Sequence, residues 1–264
     1  MPKYESGLLL NEFPFVRIGE GPGKLVILPG LGDALQDVRT GAWRSAWFYR
    51  NLAREHSVYL ISRRRGLPAR YSIRDMAGDY ARVLEGCIGC ADVMGISMGG
   101  YIAQDLAIDF PRSIRRLILA ASAQRPGPNG PELGPRWTAW AREKRWPMIC
   151  RDLAALTFQG LRRPLYMLLL PFLAKIRRGN PPNPQDFVVS VEACLNHDAS
   201  GRLAAIQAPT LVIAGAQDGF FPQSLIRETA RRIPDARLCL IEGAGHGVFV
   251  ERKRLFDRLI KEFI

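Results

Sequence analysis

Six short apolar runs, separated by helical patterns, constrain this chain more than any other feature. They are Lys24–Leu28 (KLVIL), Val58–Ser62 (VYLIS), Ala91–Ile96 (ADVMGI), Ile114–Ala121 (IRRLILAA), Thr210–Gly215 (TLVIAG) and Ala236–Ile241. A strand buried on both faces reads as a continuous apolar run, because it cannot afford a solvent side. Strands of that kind alternating with helices imply a mostly parallel, doubly wound α/β sheet. The helices expected between them cover Ala42–Arg54, Ser72–Glu85, Met98–Asp109, Pro222–Arg232 and Phe249–Phe263. The second has a clear start signal. Ser72 caps the free N–H groups, Asp75 stands at the third position of a capping box, and Met76, Tyr80, Val83 and Leu84 share a face.

The rhythm breaks at about Ala123 and resumes at about Leu203. The intervening segment is rich in Pro, Arg and Trp, with breaks at Arg125–Pro135 and Gly179–Pro184. The economical organisation is one sheet domain, 1–122 and 203–264, with a helical insertion at 123–202.

The strongest chemical signal is Gly95-Ile96-Ser97-Met98-Gly99-Gly100, which fits G-x-S-x-G. An apolar strand precedes it and a helix follows. Such a strand–turn–helix presents a serine at a sharp apex, with glycines leaving room for the close approach. The N–H of Met98 then lies at a helix N-terminus, where developing negative charge is favoured. A serine nucleophile needs a base, and the base needs an orienting acid. Of three histidines, His56 precedes a strand and reads as a helix-end or surface residue. His197 reads as a solvated helix end at the edge of the insertion. His246, inside Gly243-Ala244-Gly245-His246-Gly247, follows a strand and is the candidate base. Asp218 follows TLVIAG and is the candidate acid; Asp198 and Asp235 precede strands, at the wrong end of a parallel sheet. A second backbone donor for an oxyanion is offered by Leu31 in Leu28-Pro29-Gly30-Leu31-Gly32.

These pieces, in this order, resemble the α/β-hydrolase superfamily over nearly the whole chain. The resemblance rests on PGLG, GISMGG, the insertion one strand later, LVIAGAQD and GAGHG. It implies a nucleophile Ser97, a base Asp218-oriented His246, and an oxyanion hole from the N–H groups of Leu31 and Met98. It implies a cap over the site at 123–202 and no cofactor. The chain departs from many relatives in two places: Pro29-Gly30 stands where they carry His-Gly, and Arg63-Arg64-Arg65-Gly66 stands where they carry an acidic residue. No role for the three arginines follows from the sequence. Serine at the apex separates this chain from relatives with aspartate there, such as epoxide hydrolases and haloalkane dehalogenases.

Composition bears on substrate and partners. The chain has 264 residues and net charge +12, from 37 Lys and Arg against 25 Asp and Glu. A basic balance invites nucleic acid, anionic surfaces or acidic substrates. No basic stripe with interleaved aromatics supports nucleic acid. No run of about 18 apolar residues supports a membrane span, and no cleavable leader is evident, so a cytoplasmic protein is expected. Residues 124–202 hold 12 Lys and Arg against 6 Asp and Glu, a possible positive collar around the site. Five scattered cysteines are not a disulfide framework. Cys87 and Cys90 read as small apolar residues leading into the Ser97 strand or as an oxidisable pair, and no metal site is expected.

Trp137, Trp140, Tyr166, Met167, Leu168, Leu169 and Phe172 suggest an apolar roof or, equally, the insertion's own core, with Gly30, Phe220, Phe221 and Val248 as further walls. The expected reaction is hydrolysis of a carboxylic ester with a hydrophobic acyl or alkyl group through an acyl-enzyme. The same three residues also serve lactone hydrolysis, C–C hydrolysis, acyl transfer and perhydrolysis, and some receptors of this fold keep them. The partner in every enzymatic case is a small acyl substrate.

Overall fold

In the computed structural model, which describes residues 2–160, 162–176 and 183–264, seven strands form one sheet. They are β1 (Tyr4–Leu9), β2 (Phe13–Leu28), β3 (His56–Ile61), β4 (Ala91–Ile96), β5 (Ile114–Ala120), β6 (Thr210–Gly215) and β7 (Ala236–Ile241). From β2 onward the order is β2-β4-β5-β6-β7, each neighbour parallel to the last. β3 pairs with β2 alone. The register explains how. Phe15 to Ile18 run antiparallel to Ile61 to Val58, whereas Leu25 to Ile27 pair with Val58 to Leu60 in rising order. The long β2 bends between Ile18 and Lys24, and its two arms flank β3.

Alternation along each central strand divides the core. Leu28, Val93, Leu117, Leu119 and Val212 face one layer, which holds α2 (Ile73–Val83), α3 (Met98–Asp109) and α8 (Gln223–Arg232). Ile27, Met94, Ile96, Ile118 and Ile213 face the other, against α1 (Ala42–Tyr49) and the C-terminal helix. Successive side chains point to opposite faces, so both faces are buried and the apolar runs are continuous. The capping box at Ser72 forms: its Oγ accepts from the N–H of Asp75 at 3.1 Å, and Asp75 accepts from the N–H of Ser72 at 2.8 Å.

Between β5 and β6 lie four helices: α4 (Gly130–Arg142), α5 (Trp146–Thr157), α6 (Arg162–Ile176) and α7 (Pro184–Leu195). Three of them, α4, α5 and α7, contribute to one cluster that includes Leu133, Trp137, Trp146, Ile149 and Phe187, and Leu31, Leu35 and Phe220 pack against it. The Pro-rich break expected at Gly179–Pro184 lies largely outside the described residues. The C-terminal helix is interrupted, as α9 (Val248–Glu251) and α10 (Lys253–Phe263). No helix among the described residues is long and apolar enough to cross a membrane.

Three expectations are corrected here. His56 is buried, starting β3 against Pro22 and Gly23 rather than lying at the surface. His197 is buried too, its ring stacked on Tyr101 at 4.4 Å between centroids. Cys87 and Cys90 are both exposed free thiols rather than apolar filling beside β4.

Candidate active site

Ser97 ends β4 with φ +55° and ψ −119°, a region that L side chains adopt only when the surroundings impose it. The surroundings here are glycines. A Cβ on Gly95 would come within 2.3 Å of the Gly99 carbonyl oxygen, and one on Gly99 within 2.0 Å of the Leu28 carbonyl oxygen. Strand β4 can therefore turn into α3 at once, leaving the serine at the apex.

The two partners arrive from the ends of β6 and β7. Ser97 Oγ lies 2.9 Å from His246 Nε2, and His246 Nδ1 lies 2.9 Å from Asp218 Oδ2. The other carboxylate oxygen, Oδ1, accepts from the N–H groups of Phe220 at 2.8 Å and Phe221 at 3.0 Å. An ionised carboxylate can only accept, so Nδ1 carries the imidazole proton and Nε2 turns its lone pair to Ser97. The histidine loop is pinned on three sides. Gln217 N–H donates to the Ala244 carbonyl at 2.9 Å, Gly245 N–H to Glu251 at 2.6 Å, and Gly247 N–H to the Thr157 carbonyl of α5 at 2.7 Å.

The loop after β2 comes alongside. A Cβ on Gly30 would sit 3.2 Å from Ser97 Cβ, so the backbone passes directly beside the serine. Gly30 precedes a short 3₁₀ helix, Leu31–Ala34, and Met98 begins α3. The first N–H groups of a helix lack intrahelical acceptors, which leaves those of Leu31 and Met98 available next to Ser97 Oγ.

Around these groups opens a cavity of about 440 Å³. Its walls are mostly apolar and come from both parts of the chain: Leu31, Met98, Leu133, Trp137, Leu153 and Phe220 among them. Among the described residues one cysteine, Cys194, lines the cavity, and burial pushes its thiol up to about 12, which keeps it protonated. Tyr101 lines the cavity as well, and burial raises its phenol well above its ordinary value.

Of the residues expected here, Gly30, Leu31, Ser97, Met98, Trp137, Phe220 and His246 line this cavity. Asp218 stands behind His246 with its side chain fully buried. Two expected walls do not belong to it. Val248 is fully buried against Ile213 and Phe256 in the core beneath the sheet. Trp140 is half-buried against the cluster of α4, α5 and α7, with the Arg136 guanidinium 5.4 Å from its ring centroid. The expected roof on α6 is also corrected. Tyr166 stacks on Phe158, while Leu165, Leu168 and Phe172 point to solvent, Leu168 being 76% exposed. The roof is made instead by α4, α5 and α7. Tyr101 was not foreseen, although its place four residues after Ser97 puts it one helical turn further along the same face.

The sequence profile of the alpha/beta hydrolase fold family matches residues 24–253. The chain belongs to this family. Among similar proteins, polyketide synthase ThaQ of Burkholderia thailandensis is 28% identical over 94% of this chain. The match spans only 12% of the synthase. A 2-hydroxymuconate semialdehyde hydrolase of Pseudomonas putida is 30% identical over 74% of this chain and 73% of its own length. The crystal structure of an enol-lactonase from Burkholderia xenovorans superposes with a TM-score of 0.79 at 21% identity, covering 98% of this chain and 99% of that one. Hydrolases are thus among the proteins that this chain resembles in sequence, and a lactonase is among those that it resembles in fold.

Proposed function

We propose that this chain is a serine hydrolase that cleaves an uncharged carboxylic ester with a hydrophobic acyl or alkyl group through an acyl-enzyme. The observation that carries the reading is the continuous hydrogen-bonded chain from Asp218 through His246 to Ser97 Oγ, opening on an apolar cavity.

Ser97 Oγ attacks the ester carbonyl as its proton passes to His246 Nε2. The new imidazolium is held by the Asp218 carboxylate, and the oxyanion is received by the N–H groups of Leu31 and Met98. The imidazolium gives its proton to the leaving alcohol. Water then enters, its oxygen bonds to the acyl carbon as His246 Nε2 takes one of its protons, and the imidazolium returns that proton to Ser97 Oγ as the acid is released. The helices of 123–202 act as a cap that fixes the acyl chain and keeps water from the intermediate.

The test is turnover of p-nitrophenyl esters of graded acyl length, with an aliphatic lactone alongside. Ser97→Ala is expected to stay folded and lose turnover by a factor on the order of 10⁴–10⁶. Turnover that survives in the folded Ser97→Ala protein overturns the proposal.

A further inference from the structure

The three consecutive arginines after β3 do not behave alike. Arg63 is buried, with 2% of its side chain exposed. Burying a guanidinium is costly unless its donors are used and its charge is met. Its charge is met by Asp33, whose side chain is fully buried and whose Oδ2 lies 3.6 Å from Nη2. Asp33 is itself fixed: it accepts from the Ser62 hydroxyl and, at 3.1 Å, from the N–H of Arg63. Arg65 adds a second, half-exposed cation 3.7 Å from Oδ1. Arg63 Nη1 then donates to two carbonyls in a row, Pro29 at 3.3 Å and Gly30 at 3.2 Å.

Those two carbonyls belong to the loop that passes Ser97. The peptide between Gly30 and Leu31 is a planar trans unit, so its C=O and N–H point in opposite directions. A guanidinium holding the Gly30 oxygen thereby directs the Leu31 N–H away from Arg63. Gly30, on the N-terminal side of that peptide, imposes little resistance to its rotation. The Gly30 oxygen also accepts from the N–H of Asp33 at 3.1 Å, and Asp33 is the residue that anchors Arg63, so one network holds this peptide from one side. We propose that Arg63, anchored by Asp33, is a positioning residue for the oxyanion hole: it selects the peptide orientation that presents the Leu31 N–H to the reacting carbonyl. This rests on the serine hydrolase reading above. It also gives a reason for arginine where many relatives are acidic. A cation is what can take hold of carbonyl oxygens, and the planar fork lets Nη1 hold both of them while Nη2 faces Asp33.

The oxyanion exists only in the tetrahedral states, so loss of this orientation lowers kcat and leaves ground-state binding alone. Arg63→Lys keeps the charge beside Asp33 and removes the fork. The expected result, in protein with unchanged far-ultraviolet circular dichroism, is a fall in kcat of about 10- to 100-fold, short of the roughly 10²–10³-fold that follows outright loss of an oxyanion-hole donor. KM for a p-nitrophenyl ester stays within about twofold, and an alkyl trifluoromethyl ketone, which forms the tetrahedral adduct, loses affinity in step with kcat. Equal kcat in the folded variant overturns the proposal, as does a change confined to KM. If Arg63→Lys does not fold, Asp33→Asn carries the same test, since it releases the guanidinium from its counter-ion while preserving shape. If neither folds, the network serves stability alone and the proposal is overturned. Fluorophosphonate labelling of the unaltered protein separates the two readings: absence of labelling at Ser97 defeats the hydrolase reading, whereas labelling with undiminished Arg63→Lys activity defeats only this one.

Discussion

Asp218 holds His246 with one carboxylate oxygen and its own loop with the other. Oδ2 faces Nδ1 at 2.9 Å, and Oδ1 takes the N–H groups of Phe220 and Phe221. The carboxylate therefore cannot rotate without breaking two backbone hydrogen bonds, and the imidazole tautomer is fixed with it. Asp218→Asn preserves the shape and reverses the chemistry at one position. An amide NH₂ facing Nδ1 makes that nitrogen an acceptor and puts the proton on Nε2, where it cannot receive one from Ser97. The expected outcome is a folded protein with kcat reduced on the order of 10⁴-fold, read by ester turnover.

Trp137 sets the depth of the cavity. Its ring meets Phe220 edge to face at 6.2 Å, and its Nε1–H donates to Asp152 at 3.1 Å. Trp137→Ala removes a wall and leaves the far side of the cavity in place. The preferred acyl chain is expected to lengthen, measured as kcat/KM across a series of p-nitrophenyl esters. Unfolding in urea should show a loss of about 3–5 kcal/mol, the usual consequence of deleting a buried aromatic ring.

The parts legible from sequence are those whose local chemistry has one geometric solution. Ser97, Asp218 and His246 each follow an apolar strand in a loop, and parallel strands bring such loops to one edge. The hairpin of β1 with β2 was silent. β1 is an edge strand with mostly exposed side chains, and its turn uses Leu10 and Asn11 at positive φ rather than a glycine pair. The orientation of α6 was equally hidden. A helix rich in leucine announces an apolar face and not what that face meets, and here Leu165, Leu168 and Phe172 meet solvent. Arg63 was opaque for a different reason. Its partners, Pro29, Gly30 and Asp33, lie some thirty positions earlier, and only the fold joins them.

His197 makes stability depend on pH. Burial, with the nearby charge of Arg202, drives its imidazole from 6.5 down to about 4. Arg202 in turn pairs with Asp105, which lies 3.8 Å from His197 Nδ1. A depressed histidine is neutral in the folded state and takes up a proton more readily when unfolded. Between pH 6.5 and 4 the unfolded chain binds the extra proton, so folding weakens as pH falls across that window and levels off below it. The contribution at the acidic end is up to about 3 kcal/mol. Urea unfolding at about pH 7.5 and pH 5 should show this loss, and His197→Gln should shrink the difference.

The net charge of +12 invites an anionic substrate. No Lys or Arg lines the cavity among the described residues. On the helical insertion, Arg136 pairs with Glu132 and Asp152, Arg142 with Glu192, and Arg145 with Glu143. Exposed pairs of this kind are screened by salt and project little field into an apolar pocket. A neutral p-nitrophenyl butyrate should therefore be hydrolysed with a higher kcat/KM than its hemisuccinate counterpart. For the neutral ester, raising ionic strength from about 0.01 to 0.5 M should leave kcat/KM within about twofold, because the Debye length falls while no cation in the cavity is being screened. A hemisuccinate preferred at low salt, and losing that preference at high salt, would restore the positive collar as a determinant of substrate choice.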